Sequence, residues 1–327
     1  MTDYKTIRGK KVKFFSSDPP AAVGEGQIWY NGTDYKTAIR SEAWASGGNL
    51  NEGRFGHASA QAGTQTAALC ATGTEGPPWP GIVTSVEEYD GSSWTEQSNV
   101  NAGRESMAGC GTQTAGLIFG GSPDSDDTEE YDGTNWTDGG DMNTGRYHVG
   151  GAGTQTAGLV FGGYTGTAKT GVTEEYNGSS WANSPGSLNT PRFSITGCGT
   201  QTAALGSAGN ANPPGLSVNN TEEYDGSSWT AGGSMNTARQ DMGAAGIQTN
   251  AIVFAGRIQP GSTLSNATEA YDGTSWSTKP NVSTARTQGA GAGTAVAGLL
   301  FGGGAPGPST ATEEFTSTTI EKTITDS

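Results

Sequence analysis

Six tryptophans recur along the chain at nearly even intervals. Trp44, Trp94, Trp136, Trp181, Trp229 and Trp276 lie 50, 42, 45, 48 and 47 residues apart. Each is followed by an arginine: Arg54, Arg104, Arg146, Arg192, Arg239 and Arg286. The gap is ten residues except before Arg192, where Pro191 lies in a gap of eleven. A fixed period of this size means one supersecondary unit copied along the chain, each copy needing its neighbours to bury an apolar face. The period therefore constrains the fold more tightly than any bulk property does.

The cleanest copy starts at Arg146: RYHVGGAGTQTAGLVFGGYTGTAKTGVTEEYNGSSW. It parses into four short strands. A small-residue run, HVGGAG, turns at TQT into AGLVFGG. A loop of variable length leads to TEEY, and the step NGSS (DGSS or DGTN elsewhere) is a strong hairpin signal before the Trp strand. No stretch carries a 3.6-residue apolar period with helix caps, so the array is all-β. Conventional hydrophobic residues make up only 32% of the chain, and 54 glycines supply much of the rest of the interior. Four strands per unit of about 46 residues predict a propeller blade.

The order arginine, small apolar strand, strand ending in Gly-Gly, Tyr strand, Trp strand resembles the kelch motif. Here it is carried by Arg146, Gly162-Gly163, Tyr176 and Trp181 and their equivalents over roughly residues 44 to 317. Three units depart from it, with Thr72-Gly73, Ala208-Gly209 and Ala255-Gly256 at the Gly-Gly step. The resemblance implies an all-β, six-bladed kelch-like β-propeller with a short N-terminal extension containing a β-hairpin. Its ends predict how the ring closes. The first repeat begins at its Trp strand, and the last stops after Thr312 to Phe315 without one. The Trp44 strand would then complete the C-terminal blade and remove an open sheet edge. The organisation that follows is an N-terminal arm over 1–40, the propeller over 41–317 and a C-terminal tail over 318–327.

The arm is the basic stretch of the chain, with Lys5, Arg8, Lys10, Lys11 and Lys13 ahead of Asp18-Pro19-Pro20. Within GEGQIWYNGTDYKTAIR, Ile28, Trp29 and Tyr30 precede an Asn-Gly turn and Tyr35, which predicts a hairpin. YNGTDY echoes the blade segment YNGSSW, so a rival closure would place this hairpin in the ring. SSDP, then GQIWYN, then an acidic Gly-Thr-rich repeat array is similar to structural proteins of tailed bacteriophages, especially marine ones. That resemblance implies docking to other virion proteins through the arm, with Ile28, Trp29, Tyr30 and Tyr35 as the docking residues, and several copies per particle.

A net charge of −15 argues against nucleic acid and anionic membranes as partners. No apolar run is long enough for membrane insertion, and no signal peptide is expected. Localisation on a virion assembled in the host cytoplasm fits these features. Three cysteines are too few for a disulfide framework. Cys70, Cys110 and Cys198 read as small core residues in different repeats.

Catalytic and cofactor chemistry finds little purchase. His57 and His148, at nearly equivalent positions in two repeats, lack neighbours at metal-ligand spacing, so no metal and no cofactor is expected. Kelch-type copper oxidases need a Tyr, His and Cys constellation that two histidines supply poorly. The Asp-box of propeller sialidases places Asp, Gly and Trp at offsets zero, two and five, whereas Asp90, Gly91 and Trp94 stand at zero, one and four. The paired glutamates (Glu87-Glu88 and equivalents) point to opposite strand faces and cannot form one dyad. The repeat arginines read as a structural contact to a carbonyl or repeat glutamate, the alternative being a functional arginine ring on one face. Asp124, Asp126 and Asp127 could ligate calcium, though their spacing is no loop motif.

Repeats within one chain can be compared with each other. The turns between strands one and two and between strands three and four are nearly constant and share a face. The loops between strands two and three, 6 to 12 residues long, vary and emerge on the other face. Variable loops on a rigid scaffold are where recognition resides. Their standouts, Trp79, Tyr164, Lys169 and Arg257, are the expected ligand-binding residues, although Trp79 could instead pack over its own blade. The expected function is a non-enzymatic phage virion protein, an appendage or tail-associated propeller binding a host surface glycan or protein. A purely structural virion adaptor or decoration protein and a carbohydrate-active enzyme are the alternatives.

Overall fold

The structure is a computed structural model that describes residues 13–14, 27–30, 33–76, 81–212, 215–304 and 306–324. Two compact units divide the chain, one formed by residues 1–43 and 316–327, the other by residues 44–315.

In the first unit, strand Ile28–Tyr30 pairs antiparallel with the start of strand Tyr35–Ser46, in the register Ile28↔Thr37 to Tyr30↔Tyr35. The short strand Lys13–Phe14 joins it in parallel. Residues 318–323, read from sequence as part of a tail, continue a strand, Thr312–Thr323. Ile324 N donates to Tyr35 O at 2.8 Å, and Ser317 Oγ donates to Glu42 at 3.2 Å.

The second unit is a β-propeller. In chain order, five separate four-stranded antiparallel sheets follow one another, each having a small-residue inner strand and a Trp-bearing outer one. The third is built from Gly150–Thr154, Ala157–Phe161, Thr173–Tyr176 and Trp181–Asn183. A sixth set comprises Ala290–Thr294, Ala297–Phe301, the start of Thr312–Thr323 and, as its outer member, the end of Tyr35–Ser46. Trp44 lies there against Phe315 at 5.4 Å, and Gly47 N donates to Thr312 O at 2.9 Å. Gly139 N makes the same bond to Thr128 O, so the borrowed strand is held as a continuous one is.

The ring closes at its axis through backbone hydrogen bonds. Two residues after each repeat arginine stands Gly56, Ser106, His148, Ser194, Asp241 or Gln288, all with positive φ between 52° and 63°. The N–H of each donates to the carbonyl of the equivalent residue in the preceding unit, at 2.7 to 3.2 Å, and Gly56 N returns to Gln288 O. Six residues thus complete one cycle. The inner strands are built of Gly and Ala because they crowd their neighbours. A Cβ on Gly151 would come within 2.9 Å of Ala108 Cβ and 3.0 Å of the Phe119 ring.

The Gly-Gly step explains its own departures. Its second residue is glycine in every unit, with φ between 96° and 120°, and a Cβ on Gly163 would meet Tyr147 O at 3.0 Å. Its first residue sits near φ 60°, a left-handed region that other residues enter at modest strain. Thr72, Ala208 and Ala255 occupy it at 56°, 55° and 61°.

Each repeat arginine is buried and bonds the first glutamate of its own unit's TEE segment. The distances are 2.6 Å for Arg54–Glu87, 2.8 for Arg104–Glu129, 3.0 for Arg146–Glu174, 2.6 for Arg192–Glu222, 2.8 for Arg239–Glu269 and 2.9 for Arg286–Glu313. The other carboxylate oxygen accepts the backbone N–H three residues before the arginine, as Asn143 N gives to Glu174 Oε2 at 2.7 Å.

The second glutamate serves the next unit. Glu88, Glu130, Glu175, Glu223 and Glu314 accept from the hydroxyls of Tyr131, Tyr176, Tyr224, Tyr271 and Tyr89, at 2.5 to 3.0 Å. Where Ala270 replaces that glutamate, the facing residue is Phe315, which has no hydroxyl to satisfy. The glutamines of the strand one–two turns add a second clamp between units, as Gln155 donates to Gly116 O and Tyr131 O at 3.2 and 2.7 Å. Ala295 stands at that place in the sixth unit. The seam between the fifth and sixth units therefore lacks both clamps.

A third link joins each tryptophan to the preceding unit. Trp44, Trp94, Trp181, Trp229 and Trp276 donate from Nε1 to Thr268, Thr312, Thr128, Thr173 and Thr221 Oγ1, at 2.9 to 3.2 Å. Trp136 Nε1 is buried without a partner, because Val86 stands where the threonine would be. Val86→Thr should stabilise the protein by about 1 kcal/mol in urea unfolding by supplying the missing acceptor. The gain should vanish in a Trp136→Phe background. A loss of stability in the wild-type background would refute the assignment.

Candidate functional site

The connection from each outer strand to the next inner strand emerges on the variable-loop face, and the axial ring residues sit at its end. These residues surround the mouth of a cavity of about 100 Å³ whose wall is the first residues of every inner strand and those just before them. The cavity has a floor. The first unit is two residues longer than the others between its arginine and its turn, and the extra chain carries Gln61 to the axis. With its amide nitrogen turned inward, Gln61 donates to Gly151 O at 3.1 Å and Gly197 O at 2.9 Å, reaching the third and fourth units.

One side of the mouth, spanning the third to fifth units, carries a continuous polar network. Lys169 Nζ donates to Asn210 Oδ1 at 2.7 Å and lies 5.3 Å from the centre of the Phe193 ring. Asn210 Nδ2 donates to Gln240 Oε1 at 3.1 Å, and Gln240 Nε2 donates to Asp241 Oδ2 at 3.2 Å. Arg257 Nε donates to the same Asp241 oxygen at 2.7 Å. His148 Nδ1 lies 3.7 Å from Asp241 Oδ1. Asn210, Gln240 and Asp241 are buried, which fixes the orientation of the groups they hold. Beside the network is an aromatic group: Tyr147 and Tyr164 at 5.6 Å, Tyr164 and Phe193 at 5.8 Å, His148 and Phe193 at 5.9 Å.

The strands explain this placement. Tyr147 pairs with Tyr164, Phe193 with Asn210, and Gln240 with Arg257, each an isolated bridge joining the residue after a repeat arginine to the residue after the Gly-Gly step. Tyr164 also bridges to Lys169. In the fourth unit the loop extends into the long hairpin Ala203–Asn212 and Leu216–Tyr224. In the fifth it carries the small hairpin Arg257–Ile258 and Thr263–Leu264.

Of the residues expected to bind ligand, Lys169 and Arg257 are brought into this one network and Tyr164 into the aromatic group beside it. Trp79 lies outside the described residues. Ile28, Trp29, Tyr30 and Tyr35 belong to the N-terminal unit, where Trp29 is fully buried and the other three are half-buried. The repeat tryptophans and arginines take the structural parts described above. Tyr147, Phe193, Asn210, Gln240 and Asp241 were not anticipated from the sequence, and His148 was read there only as a histidine without metal-ligand neighbours. For all but Asn210 the signal was present, because the two positions after each arginine are chemically diverse from unit to unit.

The two histidines prove to be offset by one position. His148 is an axial-ring residue, whereas His57 follows the ring residue Gly56. His57 stands where other units have Met107, Val149, Ile195, Met242 or Gly289. Its ring packs 5.3 Å from Phe301, and burial, aided by the Arg54 guanidinium, lowers its pKa to about 3. Burial also lowers that of His148, against the pull of Asp241. The three thiols are buried and unpaired, and burial pushes Cys70 and Cys198 up to about 12 and raises Cys110 as well. Asp127 accepts from Ser125 Oγ at 2.9 Å and faces Arg104 at 3.9 Å. No group of three or more metal-ligating side chains is found among the described residues.

No protein-family model matches the chain, and no curated protein matches it. Among solved structures, that of YjhT is similar with a TM-score of 0.67 at 12% identity, covering 84% of this chain and 99% of that one. This likeness concerns the fold.

A histidine held neutral in the fold contributes stability that is complete above its ordinary pKa near 6.5 and is lost as pH falls, since the unfolded chain then binds the extra proton. For His57 the loss should approach ~1.4 kcal/mol per pH unit between pH 6 and 4. His57→Met, the residue used by two other units, should remove that component from the pH dependence of the urea-unfolding free energy. Identical slopes for the two proteins would contradict the burial argument.

Proposed function

We propose that this chain is a non-enzymatic binding propeller of the kelch type. In this reading it is an appendage or tail-associated component of a tailed-phage particle, docked through its N-terminal arm, and it holds a host surface glycan or protein with its variable-loop face. The phage assignment comes from the sequence resemblance at the arm. The binding assignment is carried by one observation: the chemistry that does not repeat is gathered on a single face, over the third to fifth units.

The opposite face is formed by repeated turns that satisfy themselves. Asp90 Oδ1 accepts from Ser92 N and Ser93 N at 2.8 Å, Asp132, Asn177, Asp225 and Asp272 do the same in their units, and these hydrogen bonds hold the Asp90 carboxyl down at about 2. The loop face departs from this uniformity with aromatic rings, a cation and buried amides fixed around a recess. That combination suits recognition better than turnover. The Asp241 carboxylate is already shared by Arg257 and Gln240, and the buried thiols are held in their protonated form. Rigid aromatics beside oriented polar groups are the usual anchors of a recognition surface.

Fluorescently labelled protein should bind cells of the bacterial host. Tyr147→Ala combined with Tyr164→Ala should weaken that binding at least tenfold, whereas Thr134→Lys on the repeated-turn face should leave it unchanged. Loss through Thr134→Lys alone, or turnover of a host glycan, would overturn the reading. Absence of cell binding, with the loop face covered by other virion chains in an intact particle, would favour a structural adaptor.

A further inference from the structure

We infer that the Lys169–Arg257 side of the axial mouth recognises an acidic saccharide, one bearing a carboxylate or phosphate; this rests on reading the loop face as the binding face. Charge placement is the first observation. The chain carries 17 lysines and arginines against 32 acidic residues. Six of the cations are the buried repeat arginines. The ring over residues 44–315 otherwise holds Lys169, Arg257 and Lys279, and Lys279 closes an outer strand. The remaining two lie in one hydrogen-bonded network at the mouth.

Lys169 is the second observation. Its ammonium group is positioned by a neutral amide, Asn210, and by the face of Phe193, with no carboxylate within ion-pairing distance among the described residues. An exposed lysine would pair with one of the many acids or stay solvated. This one is held in place with its charge uncompensated, which is the condition for receiving an anion. Arg257, by contrast, engages Asp241 through Nε, and the side chain remains 29% exposed. Its two terminal amino groups keep the fork geometry that suits carboxylate or phosphate.

The aromatic group is the third observation. Tyr147 meets Tyr164 edge-on and Tyr164 meets Phe193 at a tilt, with centroids 5.6 and 5.8 Å apart, beside these cations. Such rings offer apolar faces to the C–H side of a pyranose, while the Tyr hydroxyls suit sugar hydroxyls and the buried Asn210 and Gln240 amides hold the cations in place. A neutral sugar would use the platform and leave Lys169 unanswered. A long polyanion such as nucleic acid would meet the overall charge of −15.

The test uses the full chain and three probes of similar length: an oligogalacturonide, a phosphorylated lipopolysaccharide core oligosaccharide and a neutral dextran oligosaccharide. Calorimetry or ligand-observed NMR should show at least one acidic probe bound tenfold or more tightly than the neutral one, with affinity falling as salt rises. The two acidic probes distinguish carboxylate from phosphate. Lys169→Met should cost at least tenfold for the preferred probe, and Lys169→Arg should recover most of it. Tyr164→Ala should weaken acidic and neutral probes alike. Unfolding curves matching wild type would show that the variants fold. Equal binding of neutral and acidic probes, or an effect of Lys169→Met below twofold, would overturn the inference. If no saccharide binds while host cells still do, the acidic-saccharide inference falls and the loop-face reading stands. If cells are not bound either, both fall.

Discussion

The buried arginine–glutamate pair is the interaction on which the rest of the molecule depends. In each unit it ties the start of the inner strand to the middle of the blade. The second carboxylate oxygen, by accepting the N–H of Asn51, Asn101, Asn143, Asn189, Asn236 or Ser283, ties down the loop arriving from the outer strand. The guanidinium also reaches backbone carbonyls, as Arg239 Nη1 does to Ala255 O and Ala267 O at 2.7 Å. Burying two charges is costly, and only near-complete hydrogen bonding offsets it. Here the pair joins the strand that carries the glutamate to the start of the inner strand and to the loop arriving from the outer strand. The pair also fixes the backbone two residues on, where the axial cycle forms and the cavity mouth is built.

Neighbouring units are joined by smaller, repeated contacts whose exceptions follow physical rules. A tyrosine hydroxyl without its glutamate would be a buried donor with nothing to bond, and at Phe315 that hydroxyl is absent. A tryptophan without its threonine keeps an unmet N–H, and Trp136 does so. The seam between the fifth and sixth units lacks the tyrosine and glutamine clamps. It keeps the axial bond from Gln288 to Asp241 and the Trp44 contacts with Thr268 and Phe254. The borrowed strand therefore reinforces the seam where the repeated clamps are missing.

The architecture was legible in the sequence because it is written six times. The Trp–Arg period, the strand order and the acidic pairs all survive comparison of one repeat with another. Two kinds of feature were hidden. The loop-face network depends on residues far apart in sequence: Lys169, Asn210, Gln240, Asp241 and Arg257 meet only because each residue after an arginine pairs with one after a Gly-Gly step. Gln61 was hidden for the opposite reason, since a two-residue excess in one repeat shows that chain is added but not that it crosses the axis. The C-terminal residues past Phe315 carry no repeat signal, and their strand partner lies at the other end of the chain.

The ring and the candidate site are two consequences of the same anchoring, so the anchor is where the account is most exposed. A double-mutant cycle on Arg146 and Glu174, both fully buried, tests it directly by urea unfolding. Arg146→Met and Glu174→Met should each destabilise by about 3 kcal/mol or more, since each strands a buried charge. The double variant should be less damaged than the sum by at least about 2 kcal/mol. Single losses below about 1 kcal/mol, or losses that simply add, would contradict the claim that this pair holds the blade together.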